Sequence, residues 1–269
     1  TSTEITNEFQ FFMMVDDKIP NDNKMRKMTL SIRVEGMKQY GEWEIGEVLE
    51  KVLSVKGQSL DDVPQFDIDK LGEPNPDSEE DAINILVGEL TKKLKSFQSI
   101  KRNESTAREF ISPFLTTAVS LVRDEEDTLI LKSEEPLHGS RAYGILDYCI
   151  YARDAVILVS EAQNEQFNKG VAQNVMQMLS AVENLKRKRM IDDVDEGQEV
   201  PVVMYGIVTN ALSWYFFRWG GDEKNPSLER SVEVHCEFEL PDMGSAKRIL
   251  RIIMRILQDQ IHGLKNSSE

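Results

Sequence analysis

His138-Gly139-Ser140, Gly144-Ile145-Leu146-Asp147-Tyr148, Val156-Ile157-Leu158-Val159-Ser160-Glu161-Ala162-Gln163 and Lys169-Gly170-Val171-Ala172-Gln173 lie within one stretch, and its reading decides the fold. Two apolar runs each deliver one acidic residue near their C-terminal half, and a helical pattern follows at once. The run from Ile145 to Ile150 is rich in β-formers, and Ala155 to Ser160 reads as a continuous buried strand. Only Tyr151-Ala152-Arg153-Asp154 separates them, a hairpin-sized connection. Antiparallel pairing would bring Asp147 and Glu161 side by side at one end of a sheet.

Two carboxylates held close together repel unless something positive lies between them. A divalent cation is the usual solution, and hard oxygen ligands suit Mg2+ or Mn2+. The main-chain carbonyl of Ala162 and waters would complete the octahedron. The competing reading is an ordinary α/β sheet whose edge acids are merely solvated.

An Asp on one strand and Glu-x-Gln on the next, followed by a helix, resembles the PD-(D/E)XK nuclease superfamily, with Gln163 where that superfamily carries lysine. The His-Gly-Ser loop, the Gly-x-x-Asp-Tyr strand, the Glu-Ala strand end and the Lys-Gly-x-Ala-Gln-Asn helix start resemble the nuclease-like C-terminal domains of crinkler-type proteins of oomycetes and fungi. The resemblance covers about Asn103 to Trp219. It implies a restriction-endonuclease-like αβββαβ core with a mixed sheet. It further implies Mg2+ or Mn2+ held by Asp147, Glu161 and Glu104, with Lys169 or Gln173 reaching a scissile phosphate of DNA. Gln163 donates a hydrogen bond but carries no charge, so the missing positive group must come from Lys169, or the site is slow or dead. Each residue also has a bland reading: Glu104 is a first-turn glutamate favoured by the helix dipole, and Lys169, Gln173 and Gln177 form a polar helix face.

The chain of 269 residues suits one large domain or two modest ones, and 40% hydrophobic content marks it as globular. No apolar run is long enough to cross a bilayer, so no membrane partner is expected. Cys149 and Cys236 sit in strand-like runs as reduced packing residues, and with three histidines no zinc spacing can be assembled, which points to an intracellular setting. No charged and apolar leader opens the chain at Thr1, so secretion into a host cell would depend on a segment outside it. A net charge of −15 opposes nucleic-acid binding unless a local basic face survives. Gly-rich phosphate loops and nucleophile elbows are lacking, which counts against kinase, NTPase and hydrolase chemistry.

Strands are expected at Glu8–Val15 and Lys27–Glu35 around a turn at Asp16–Lys24, with a helix through Trp43, Val48 and Leu53. This β-hairpin and helix unit with its acidic linker, residues 1–75, precedes a nuclease-like domain over 76–269. It is either a small header of its own or a cover for the main sheet. A helix follows over Asp81–Phe97, then one capped at Asn103 or Ser105 that Pro113 should kink or restart. The first core strand is placed at Thr128–Leu131 and a helix at Asn168 to about Lys188, with strands at Val200–Val208, Ser213–Trp219 and Ser231–Leu240. In the last of these Val232, Val234, Cys236, Phe238 and Leu240 are expected inward. The closing helix, Gly244–His262, carries Lys247, Arg248, Arg251 and Arg255 as a basic stripe. Lys186-Arg187-Lys188-Arg189 resembles a nuclear-import signal and equally suits a helix C-terminus.

Two functions are therefore carried forward. One is an effector domain acting as a Mg2+-dependent phosphodiesterase on DNA. The other is a catalytically inactive nuclease-fold module that binds nucleic acid or a host nuclear protein; open strand edges also allow a homodimer.

Overall fold

A computed structural model describes residues 37–55, 59–71, 79–97, 99–100, 103–153, 155–162, 167–192, 203–221, 226–238 and 243–266. The chain divides between Thr1–Glu35 and Gly36–Glu269, and every described residue belongs to the second part. The strands expected at Glu8–Val15 and Lys27–Glu35 lie outside the described residues.

The organising element is the strand run read from the sequence. Strands β2 (Ile130–His138), β3 (Ala142–Ala152) and β4 (Ala155–Ala162) form an antiparallel meander. β3 and β4 are joined across Arg153, whose φ of 47° gives the tight reversal its left-handed residue. The first core strand thus runs well beyond Leu131, because its partner β3 is long enough to pair it from Ile130 to His138.

A long helix, Phe167–Asp192, then crosses over so that β5 (Met204–Thr209) lies parallel to β4. Antiparallel strands β6 (Ser213–Gly221) and β7 (Pro226–Arg230) follow, and β8 (Val234–His235) also pairs with β6. A short strand β1 (Lys38–Gln39) runs parallel to β3 at Ala142–Tyr143. Among the described residues the result is an open, mixed, eight-stranded sheet.

Helices are numbered in order: α1 (Ile45–Lys51), α2 (Glu79–Ser96), α3 (Glu104–Val122), α4 (Phe167–Asp192) and α5 (Gly244–Asn266). None of them, over the described residues, is long and apolar enough to cross a membrane. One core unites α2, α3 and α5 with Ile150, Leu158, Ile207 and Phe216 of the sheet. The other unites α1 and α4 with Leu146, Cys149, Val159, Val208 and Phe217. Alternation along the strands sends successive side chains to the two cores, as the pleat requires. Residues 38–55 and 59–71 contribute to both layers: α1 supplies Val48 and Leu49 to the second core, and Phe66 and Ile68 enter the first.

Asn103 caps α3, its side-chain oxygen accepting from the Thr106 N–H at 2.8 Å. The kink or restart expected at Pro113 does not occur: Glu104–Val122 is one continuous helix with Pro113 buried inside it. Phe114 below that turn meets Trp214 edge to face, with centroids 5.0 Å apart, and the Trp214 indole N–H donates to the Ala211 carbonyl. Phe110, before the proline, meets Phe97 and Phe238 edge to face, so aromatic packing holds the helix on both sides of the proline and against β6 after it.

The expected single strand over Ser231–Leu240 is also corrected. Phe217 pairs with Arg230 on β7, but Ser213 pairs with His235 on β8, so the register advances by one residue between them. Ser231 sits at the offset, donating its N–H to the Phe216 carbonyl while its hydroxyl accepts from the Phe216 N–H. A one-residue bulge reverses the facing of what precedes it. Val232 accordingly is 52% exposed instead of inward, while Val234 and Cys236 remain buried. Cys149 and Cys236 are free and buried, and burial pushes both thiols up to about 12.

The basic stripe on α5 is partly spent inside the molecule. Arg248 grips both oxygens of Asp69 at 3.0 Å, and the Arg255 Nε–H donates to the Leu71 carbonyl. The same segment runs beside the β7 edge, where Arg230 donates its N–H to Pro64, accepts from the Phe66 N–H, and pairs with Asp61 at 3.1 Å. An acidic stretch read as a linker therefore covers both a strand edge and part of the stripe.

Helix α4 lies so close to β5 that a Cβ on Gly206 would fall 2.1 Å from Asn174 Oδ1 and 2.8 Å from Met178 Sδ. Gly206→Ala is expected to lift α4 and destabilise by about 1–3 kcal/mol, as overpacked cores do. Asn103→Ala should cost only about 1 kcal/mol by loss of a cap. Urea unfolding of both variants checks the order; equal losses would mean that the α4–β5 contact yields easily.

Candidate functional site

The β3–β4 ladder pairs Tyr148 with Ser160, which makes Asp147 and Glu161 the next neighbours across the two strands. Both are buried, at 8% and 3% exposure, so neither carboxylate is simply solvated. A charge taken out of water needs partners. Asp147 Oδ2 accepts from the Ala162 N–H at 2.8 Å, and Oδ1 accepts from Arg108 Nη2. Glu161 Oε2 accepts from Gln177 Nε2 at 2.9 Å. Arg108 is on α3 and Gln177 on α4, so the two acids are gripped by helices that belong to different cores.

The local backbone explains how Asp147 reaches α3. Leu146 belongs to the α4-side core, whereas Tyr148 packs on the α3-side core and donates its hydroxyl to the Arg108 carbonyl at 3.3 Å. Asp147 and Tyr148 are consecutive, yet both address Arg108, so the pleat is broken at Asp147. Across the ladder, Glu134 sits at φ 54° between the paired residues Ser133 and Glu135. Left-handed backbone at a non-glycine residue is strained, and here it faces the break in β3.

Arg108 is the hub. Its Nη2 also donates to Glu104 Oε1 at 2.6 Å, one helical turn earlier, and Nη1 stands 3.6 Å from Glu134 Oε1. Glu104, Glu134 and Asp147 thus come from α3, β2 and β3 to one guanidinium. Burial opposes the Arg108 charge, but Asp147 and Glu104 beside it outweigh that and push its pKa up. For Asp147 burial wins: it raises the carboxyl above its ordinary range, the Ala162 N–H and Arg108 draw it partly back, and Glu104 and Glu134 add to the rise.

On the other side Glu161 and Gln177 head a buried polar row. The Asn174 amide reaches Gln177 Oε1 at 3.5 Å and the carbonyls of Val159 and Ile207 at 3.4 Å. Gln173, one turn before Gln177, lies near Gly41, and Lys169 is half-buried with no ion pair to any described residue. Gln163 lies outside the described residues. The His-Gly-Ser loop serves α4: Glu183 accepts from the Ser140 N–H and hydroxyl, both at 2.6 Å. A Cβ at Gly139 would meet Ser180 Oγ at 2.3 Å, so only glycine lets the loop approach.

The structure therefore gathers Asp147 with Glu104, and places Glu161 with Gln177. Glu104 is 48% exposed at its side chain, as the first-turn reading has it, but it also shares Arg108 with Asp147. Glu134 went unread, while Asn174 stood in the Lys-Gly-x-Ala-Gln-Asn helix start and Arg108 four residues after Glu104, each without a role of its own. As they stand, these groups do not fit a divalent cation. Arg108 already neutralises Asp147, and among the described residues no three His, Cys, Asp or Glu side chains are grouped to hold a metal ion.

Because the folded state raises the Asp147 value, folding favours the protonated acid. That contribution is complete below the ordinary value of about 3.9 and is lost as pH rises through the raised value. Relative to Asp147→Asn, the parent's unfolding free energy should therefore fall across that window in urea titrations. An advantage that grows with pH instead would mean that the Arg108 pair outweighs burial.

No family model matches the chain. It is 25% identical over 246 residues to crinkler effector protein 1 of Rhizophagus irregularis, an alignment that takes in 88% of this chain and 50% of that protein. The chain spans about half the length of this curated relative. The likeness to that protein is distant and runs over most of this chain's own length.

Proposed function

We propose that the chain is an effector domain on a nuclease-derived scaffold that works by binding a protein in the host nucleus, not by cutting DNA. What supports the scaffold is the order α3-β2-β3-β4-α4-β5, an αβββαβ series in a mixed sheet with β5 parallel to β4, as the resemblance leads one to expect. The observation that carries the loss of chemistry is Arg108, whose guanidinium takes the charge-balancing position beside Asp147. A protein partner is favoured over nucleic acid by the net charge of −15 and by the engagement of Arg248 and Arg255 with the 59–71 segment. The Lys186–Arg189 run supports the nuclear address.

The second reading, a Mg2+- or Mn2+-dependent phosphodiesterase acting on DNA, is favoured by the burial of Asp147 and Glu161 next to each other on neighbouring strands. Cleavage of supercoiled and single-stranded DNA by the parent, Asp147→Ala and Glu161→Ala separates the two. The expected result is no metal-dependent cleavage that either substitution removes. Cleavage abolished by both would establish the second reading in place of the first.

A further inference from the structure

We propose that the outer face of α2 is a self-docking surface, on which a second copy of this chain packs antiparallel about a two-fold axis. The inner face of the helix is spent on the first core, where Ile83, Leu86 and Leu90 are buried. Opposite them Asp81, Ile85, Gly88, Lys92 and Lys95 recur at alternating steps of four and three, and all are exposed, Ile85 to 66%. Such spacing is the seam along which two helices pair, and a helix already anchored by its inner stripe has no need of it within the monomer.

The seam is complementary to its own reverse. One antiparallel register sets Asp81 against Lys92 of the second copy and Ile85 against Gly88 of the second copy. Two-fold symmetry repeats both contacts in reverse, so two apolar knobs enter two hollows and each end is closed by opposite charges. Gly88 makes the hollow. A Cβ there would meet nothing within 4 Å, so packing inside the monomer does not call for glycine, and glycine weakens a helix interior. What it offers is close approach by another body, and Ile85 is an apolar side chain otherwise left in water.

The charges on the seam are uncommitted. Lys93, turned aside, pairs with Glu109 of α3 at 2.7 Å, whereas Asp81, Lys92 and Lys95 have no ion pair with any described residue. A parallel arrangement would set Asp81 on Asp81 and Lys92 on Lys92, so charge selects the antiparallel one. On a chain of net charge −15 self-association demands such a local match. One helix against its copy buries less than the roughly 1,200–2,000 Å2 of a standard interface, so the dimer is weak and forms with concentration.

Sedimentation equilibrium of the full chain, at concentrations up to about 1 mM, should show monomer passing to dimer. Asp81→Lys alone and Lys92→Glu alone each put like charges at both ends and should weaken association about tenfold or more. Mixed in equal amounts, the two variants should recover the parental dimer as a heterodimer, because each supplies the charge the other lacks. The double variant Asp81→Lys/Lys92→Glu should recover it as a homodimer. Gly88→Glu fills the hollow with a charge and should abolish association while the melting temperature holds or rises, since glutamate is the better helix former.

A parent that stays monomeric throughout overturns the proposal and leaves the face to a different protein or to water. So does a dimer that the single charge reversals or Gly88→Glu leave intact, which would put the interface elsewhere. Recovery in either the mixture or the double variant supports the antiparallel register, and failure of both overturns it.

Discussion

The ion pair between Arg108 and Asp147 is the constraint on which the site's form depends. A carboxylate at 8% exposure cannot remain charged on the strength of hydrogen bonds alone without a large cost, and the Ala162 N–H supplies only one. Arg108 supplies the opposite charge, and to do so it must come down from α3 onto β3. That requirement orders the neighbourhood: Tyr148 bonds the Arg108 carbonyl, and the pleat of β3 breaks where Asp147 turns toward the helix. Removing one partner of such a pair is far more damaging than replacing both with apolar groups.

The opposite face of the sheet solves a different problem with different groups. Glu161 is even less exposed, and among its interactions the bond from Gln177 ties it to α4. Asn174, one turn away, spans toward the carbonyls of Val159 and Ile207. Amide side chains here stitch a helix to two parallel strands, and Gly206 gives the room that this demands. A buried polar row is costly where a group lacks a partner, as Asn174 Oδ1 does, while its donated bonds favour the one packing of α4 that makes them. Glu183, holding the Ser140 loop, extends the same helix's grip to the β2–β3 turn.

The sheet edges are handled by charge and by cover. Among the described residues β2 pairs only with β3, and it carries Lys132, Glu134, Glu135 and Pro136, residues that discourage pairing with another strand. The β7 side is flanked by the 59–71 segment, whose Asp61 and Asp69 also meet Arg230 and Arg248. The Arg248–Asp69 pair is exposed and contributes little stability, whereas the Arg230 guanidinium is buried against an exposed Asp61. Their larger effect is to mask positive charge on a strongly acidic molecule.

Residue pattern alone marked β3, β4 and β5 as strands and α4 as a helix, because apolar runs and the 3.6-residue stripe Val171, Val175, Met178, Val182 are properties of neighbours along the chain. It also marked Asp147 and Glu161 as unusual acids in apolar strands, and Asn103 as a cap. Tertiary structure alone decided which partner each acid took. Arg108 lies 39 positions before Asp147, and Gln177 lies 16 after Glu161, separations that local spacing cannot read. The bulge that exposes Val232 likewise followed from the register of β6 with two different strands, and continuity of α3 through Pro113 goes with aromatic packing on Trp214. Periodicity reports which face a residue occupies; only the folded chain reports which charge it meets there.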